Sequence, residues 1–186
     1  MVLQREVLPV RKIWIPIVSL ALAAIVLLGT YNLTLNIRQA NVQKELQAKM
    51  EVLLPGSTTF TEETYTGDDA NIISVHKAEN GFVIETVTRG YVDDIRMLIG
   101  VSNDGKVTGL VVRELDETFG LGAAALTDTD FLSQFLNTSG EAEVGSTVDA
   151  LTGATVTSKA ITRAVNSAVA YVTGADASSG ATSWGG

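Results

Sequence analysis

The chain of 186 residues contains no cysteine. That excludes disulfides, thiolate zinc sites, cysteine-ligated iron–sulfur clusters and c-type haem attachment, so any redox chemistry needs another cofactor. Histidine occurs once, as His76 in an expected strand beside Lys77, where a solvated surface position is the expectation. Basic residues are outnumbered, 13 Lys+Arg against 21 Asp+Glu. Nothing in the sequence forms a nicotinamide site or an ion channel, and no side chain stands out as a catalytic acid, base or nucleophile, so the chain is not a complete catalyst by itself. The acidic pairs Glu62-Glu63, Asp68-Asp69 and Asp93-Asp94 read as solvated turns rather than metal ligands, and Tyr91 and Met97 as packing residues.

Hydrophobic residues are plentiful, 46% of the chain with a mean hydropathy of +0.25, which is high for a soluble domain. Much of the excess lies in IWIPIVSLALAAIVLLGTYNLTL, Ile13–Leu35, which carries no charge over 23 residues. As a helix it would be roughly 35 Å long, enough for a hydrocarbon core of about 30 Å. Pro16 falls in the first turn, where a missing N–H costs little. A cleaved signal peptide would have a shorter apolar region and a small-residue cleavage site; GTYNLTLN offers none, so an uncleaved anchor is expected. Arg5, Arg11 and Lys12 precede the run and place the N-terminus in the cytoplasm, the rest of the chain outside it. Of the charged residues, three of 13 bases and one of 21 acids precede the run, leaving the exported part at net −10. An acidic domain on the outer face of the inner membrane is a poor binder of nucleic acid.

The layout expected is a cytoplasmic N-terminus (1–12), a transmembrane helix (13–35), a helical stalk (36–56), a folded domain (57–174) and a flexible tail (175–186). The stalk is rich in helix formers, with Ile37, Val42, Leu46, Met50, Leu53 and Leu54 on one apolar face, and Pro55-Gly56 ends it. From Ile72 to Leu115, stretches rich in Val, Ile and Thr alternate with the turn signals Glu79-Asn80-Gly81, Asp93-Asp94 and Asn103-Asp104-Gly105, which predicts an antiparallel meander. Asp130–Leu136 reads as a short helix. Val156–Val172 carries Val156, Ala160, Ile161, Ala164, Val165, Ala168, Val169 and Val172 on one stripe and closes at Gly174. A block of strands followed by helices makes the fold class α+β, an antiparallel sheet with packed helices behind a single N-terminal transmembrane helix and helical stalk.

Two segments share the pattern D-A-x-[ST]-G-A-T: DALTGATVTS at Asp149–Ser158 and DASSGATSWGG at Asp176–Gly186. Two readings fit the first. One is a plain helix start, with Thr152 or Thr155 as the cap. The other uses the same backbone N–H groups and the helix dipole as a seat for a phosphate, with Gly153 and Ala154 keeping the approach open and the Thr155 hydroxyl free to form an ester. Upstream, Glu114–Gly122 reads ELDETFGLG, by itself a common strand end and glycine-rich loop.

The pair E-T-x-G-L-G and, about thirty residues on, D-A-L-T-G-A-T-V-T-S resembles the FMN-binding domain shared by the G subunit of Rnf ferredoxin:NAD+ oxidoreductase complexes and the C subunit of sodium-pumping NADH:quinone reductase. It spans roughly residues 70–172, and the length and short stalk look more like the Rnf protein. The resemblance implies FMN joined through its phosphate to Thr155 as a phosphoryl threonine, installed by a flavin transferase that uses FAD and magnesium. It also implies that Asp149, Thr152, Gly153 and Ala154 belong to the recognised stretch, and that Glu117, Thr118, Gly120, Leu121 and Gly122 lie against the flavin. The chain has Phe119 where the family usually has proline. The implied role is an electron carrier among the other subunits of a membrane complex that translocates Na+ or H+. The alternatives are a flavin carrier in another membrane or extracellular electron-transfer chain, and a non-redox anchored scaffold. Thr182 lacks both a following helix and a glycine-rich partner loop, so Thr155 is the expected attachment point.

Overall fold

The computed structural model describes residues 10–115 and 128–175. The chain divides into two compact units, Met1–Leu46 and Gln47–Gly186. Helix α1, Val10–Leu53, accounts for the described residues of the first unit and continues past its boundary. From Ile17 to Tyr31 every side chain of α1 is exposed, with Leu20 at 75% and Leu27 at 68%. The Thr30 hydroxyl donates to the carbonyls of Val26 and Leu27 at 2.9 and 3.0 Å, and Thr34 to Thr30 at 2.7 Å. Among the described residues no helix is long and apolar enough to cross a membrane.

The second unit is built on one antiparallel sheet. Strands β1 Thr61–Glu63, β2 Ile72–Ala78, β3 Gly81–Arg89, β4 Asp94–Ser102 and β5 Val107–Leu115 follow one another in space as in sequence. The meander thus forms as the Val/Ile/Thr runs and turn signals require, and Gly105, at φ +77°, makes the β4–β5 reversal. β1 is an addition to the expected strands, pairing Thr61 with Lys77 and Glu63 with Val75. It places Glu62-Glu63 in a strand rather than a turn.

Helix α3, Thr155–Thr173, lies along one face of this sheet. Ile84, Ile95, Met97, Ile99 and Val101 of the strands meet Ala160, Ile161, Ala164, Val165, Ala168 and Val169 of the helix in one buried cluster. The alanines recur every fourth residue, which lets the backbone come close to the sheet. Val156 is 37% exposed and stands outside this stripe. The opposite face receives the end of α1: Gly100 and Gly109 face each other across β4 and β5, and Leu53 packs against both. Met50, Leu53 and Leu54 are buried, whereas Ile37 and Val42 are exposed, so the expected apolar face of residues 36–56 is buried only at its C-terminal end.

Helix α2 is shorter than expected, Thr129–Ser133, capped by the Asp128 carboxylate on the Phe131 N–H. Phe131 and Phe135 pack edge to face at 5.4 Å within the main core. Two further expectations are corrected. His76 is 8% exposed with Nε2 3.4 Å from Ser74 Oγ; it lies on the face of β2 opposite the core residue Val75, paired with the buried Val83 of β3. Tyr91 is 72% exposed, because it sits at the tip of the β3–β4 connection rather than within a strand.

Candidate functional site

The direction of α3 fixes where its first residue lies. Phe82, at the start of β3, packs against Tyr171 near the end of α3, with ring centroids 5.8 Å apart. Six residues along β3, the buried Thr88 hydroxyl donates to the Ala160 carbonyl at 3.0 Å. The helix therefore runs antiparallel to β3, and its N-terminus projects past the sheet end where β3 turns into β4. Thr88 pairs with Ile95, and Ile95 with Leu115, so β5 finishes at that end too. Leu115 is two residues before Glu117. Glu117, Thr118, Gly120, Leu121 and Gly122 lie outside the described residues, as does Thr182.

The segment Asp149–Thr155 is held mainly through its backbone. Gln134 Oε1 accepts from the Asp149 N–H at 2.8 Å while its Nε2 donates to the Asp149 carbonyl at 3.5 Å. Asn166 clasps Ala142 in the same two-way fashion at 3.2 and 2.9 Å. The buried Ser158 hydroxyl accepts from the Leu151 N–H at 3.0 Å and donates to the Ala154 carbonyl at 3.0 Å. A turn closed by the Ala154 N–H on the Leu151 carbonyl, 2.9 Å, leads into the helix. Gly153 takes φ +76° within it, a left-handed conformation that glycine adopts without steric cost.

Neither Thr152 nor Thr155 caps α3. The cap is Ala154, which offers no side-chain acceptor, and Thr155 is the first helical residue. The first intrahelical bond runs from the Ser158 N–H to the Ala154 carbonyl at 2.9 Å. The N–H groups of Thr155, Val156 and Thr157 precede it and meet no capping side chain among the described residues. Such donors, at the positive end of the helix dipole, form an anion site. Asp149, Thr152, Gly153 and Thr155 are exposed and Ala154 is buried. Exposed Lys159 stands four residues after Thr155, on the same helix face, and adds positive charge there. Lys159, Gln134, Ser158 and Asn166 were not anticipated from sequence. Only Lys159 had a signal, the i,i+4 spacing; the other three act on backbone brought near by the fold. Among the described residues no group of three or more His, Asp or Glu side chains is placed to hold a metal.

Comparison with known proteins gives the class of the domain. Residues 90–170 match the family model described as an FMN-binding domain. That range runs from the β3–β4 turn through most of α3. Over most of its length the chain resembles the G subunit of the ion-translocating oxidoreductase complex of Methanosarcina acetivorans, with 35% identity over 175 residues covering 84% of this chain and 90% of the relative. The G subunit of the Na(+)-translocating ferredoxin:NAD(+) oxidoreductase complex of Acetobacterium woodii is 30% identical over 180 residues, 82% of this chain and 86% of its own. The proton-translocating counterpart from Clostridium ljungdahlii is 38% identical over 99 residues, about half of each chain. The chain belongs to the family of Rnf G subunits of ion-translocating oxidoreductase complexes.

Proposed function

We propose that this chain is the membrane-anchored FMN carrier of an ion-translocating ferredoxin:NAD+ oxidoreductase complex. The observation that supports this most is the start of α3: an exposed Thr155 hydroxyl, three N–H donors without a capping side chain among the described residues, and Lys159 one turn on, all at one end of the sheet. The Thr155 hydroxyl would take the FMN phosphoryl group from FAD, with AMP leaving, in a reaction run by a separate magnesium-dependent flavin transferase. The resulting phosphodiester keeps one negative charge, which the helix donors and Lys159 stabilise. FMN, when bound, supplies the reversible acceptance and release of electrons, and this chain holds and orients it. Asp149, Thr152, Gly153 and Ala154 present the stretch to the transferase through the backbone grip of Gln134 and Ser158. Glu117, Thr118, Gly120, Leu121 and Gly122 are proposed to contact the flavin.

The other subunits of the complex provide the nicotinamide and ion-conducting sites. The proposed layout keeps residues 36–56 as a stalk and 57–174 as the FMN-binding domain. The uncharged run Ile13–Leu35 would anchor the chain with its N-terminus in the cytoplasm. Exposed apolar side chains support this, as do threonine hydroxyls bonded back to their own helix, since in lipid each polar group must be satisfied internally. Resistance to alkaline extraction and protease access from the outer side only would bear out the anchor and its orientation; release into the soluble fraction would refute them. For the cofactor, protein made together with the transferase should give a fluorescent band after denaturing electrophoresis. Thr155→Val should give a dark band with the domain still folded. A fluorescent Thr155→Val band would remove Thr155 from the account.

A further inference from the structure

The tip of the β3–β4 connection is an unusual surface turn. Gly, Asn, Asp and Ser dominate such positions, yet here the tip carries Tyr91 and Val92, exposed at 72% and 47%. It is also firmly built. The Gly90 N–H donates to the Asp93 carbonyl at 2.9 Å. The Arg89 guanidinium donates to the Val92 carbonyl at 2.7 Å and reaches the carboxylates of Asp93 and Asp94 at 3.3 and 3.4 Å. The Asp94 N–H donates to Asp93 Oδ1 at 2.8 Å. A turn held this way presents its aromatic ring on a fixed support.

Its place is set by the hydrogen bond that orients α3. Starting from Thr88 Oγ1 and the Ala160 carbonyl, 3.0 Å apart, β3 ends one residue onward at Arg89, and Tyr91 stands in the turn just beyond it. Thr155 lies five residues back along the helix, about 7.5 Å. Both lie past the same end of the sheet, so the β3–β4 turn and the start of α3 share that end. An exposed aromatic ring on a braced turn, at the same end of the sheet as a tethered phosphate, fits one ligand chemistry, a flat conjugated ring attached to that tether.

We propose that Tyr91 stacks on the isoalloxazine ring of the flavin carried at Thr155, making the β3–β4 turn one wall of the flavin site. The inference rests on the function proposed above. Tyrosine gives an electron to an excited flavin and so quenches its fluorescence when the rings stack, and phenylalanine does not. In protein whose intact mass shows one FMN adduct, Tyr91→Phe and Tyr91→Ala should both brighten the flavin, while Val92→Ala stays close to the unsubstituted protein. A second arm needs no tether: riboflavin is titrated into Thr155→Val protein with and without Tyr91→Ala. Loss of the stacked ring should weaken that binding about two- to tenfold. Unchanged fluorescence in Tyr91→Phe together with unchanged riboflavin binding in Tyr91→Ala overturns the proposal, including the case where electron transfer falls because Tyr91 serves a protein partner. Riboflavin binding that depends on Tyr91 in a chain showing no adduct on Thr155 upholds the stacking and refutes the tether instead.

Discussion

Thr86 and Thr88 lie two residues apart on β3 and face α3, buried at 0% and 2% exposure. Replacing each by valine makes the same chemical change, yet the structure requires opposite signs. The Thr88 hydroxyl donates to the Ala160 carbonyl at 3.0 Å, so Thr88→Val forfeits a buried hydrogen bond and costs about 1 kcal/mol. The Thr86 hydroxyl is buried with no hydrogen-bond partner among the described residues. Its folding already bears the desolvation of an unpaired hydroxyl, so Thr86→Val should stabilise by about 1 kcal/mol. The two variants should differ by roughly 2 kcal/mol, about thirtyfold in the folding equilibrium. Urea unfolding followed by far-UV circular dichroism, on chain beginning at Gln47, measures this; tryptophan fluorescence does not serve, since Trp14 and Trp184 are the two tryptophans and both lie outside the described part of that unit. Shifts of the same sign in both variants would refute the assignment of partners. Thr88 also holds α3 beside the β3–β4 turn, so its variant alone should alter flavin fluorescence in the loaded protein.

Three more outcomes follow from the packing. Gly100→Ala would place a methyl group inside contact distance of the Leu53 carbonyl and 2.6 Å from Thr108 Oγ1, against 3.1 Å for the nearest atom at Gly109; it should cost about 1–3 kcal/mol and Gly109→Ala less, as read by urea midpoints. Ile161→Ala empties a fully buried position between α3 and the sheet and should cost about 2–5 kcal/mol, with lower flavin incorporation because the start of α3 loosens. Tyr171 has its phenol pushed above the ordinary value of 10.0, first by burial and then by the Glu63 carboxylate. The unfolded chain therefore loses that proton first, and stability, full below the ordinary tyrosine range, falls as pH rises through it toward the folded value; Tyr171→Phe should flatten this alkaline limb in a pH series of melting curves.

The four long strands were legible because each combines Val, Ile and Thr with a turn signal at its end. β1 was not, since Thr-Glu-Glu has no strand pattern and forms by pairing with β2. Helix α3 was legible from its stripe down to Gly174, which closes it at φ +69°. Its start was harder. Threonine at two positions near a helix beginning suggests a cap, but the chain enters through Ala154, which makes no side-chain cap hydrogen bond. The position of Thr155 in the motif was readable; the clasps of Gln134 and Ser158 on its backbone depend on residues 15 and seven positions away, which no local pattern reveals. His76 and Tyr91 were misread for one reason: exposure in a strand or turn depends on what the fold stacks on it, and neither residue's neighbours in sequence carry that information.

The central claim is that Thr155 carries the flavin. Intact mass and peptide mapping of the full chain, made together with a flavin transferase, test it most directly. One FMN adduct should appear on the peptide containing Thr155, vanish in Thr155→Val and persist in Thr182→Val. An adduct that survives Thr155→Val, or none at all in the unsubstituted chain, would contradict it.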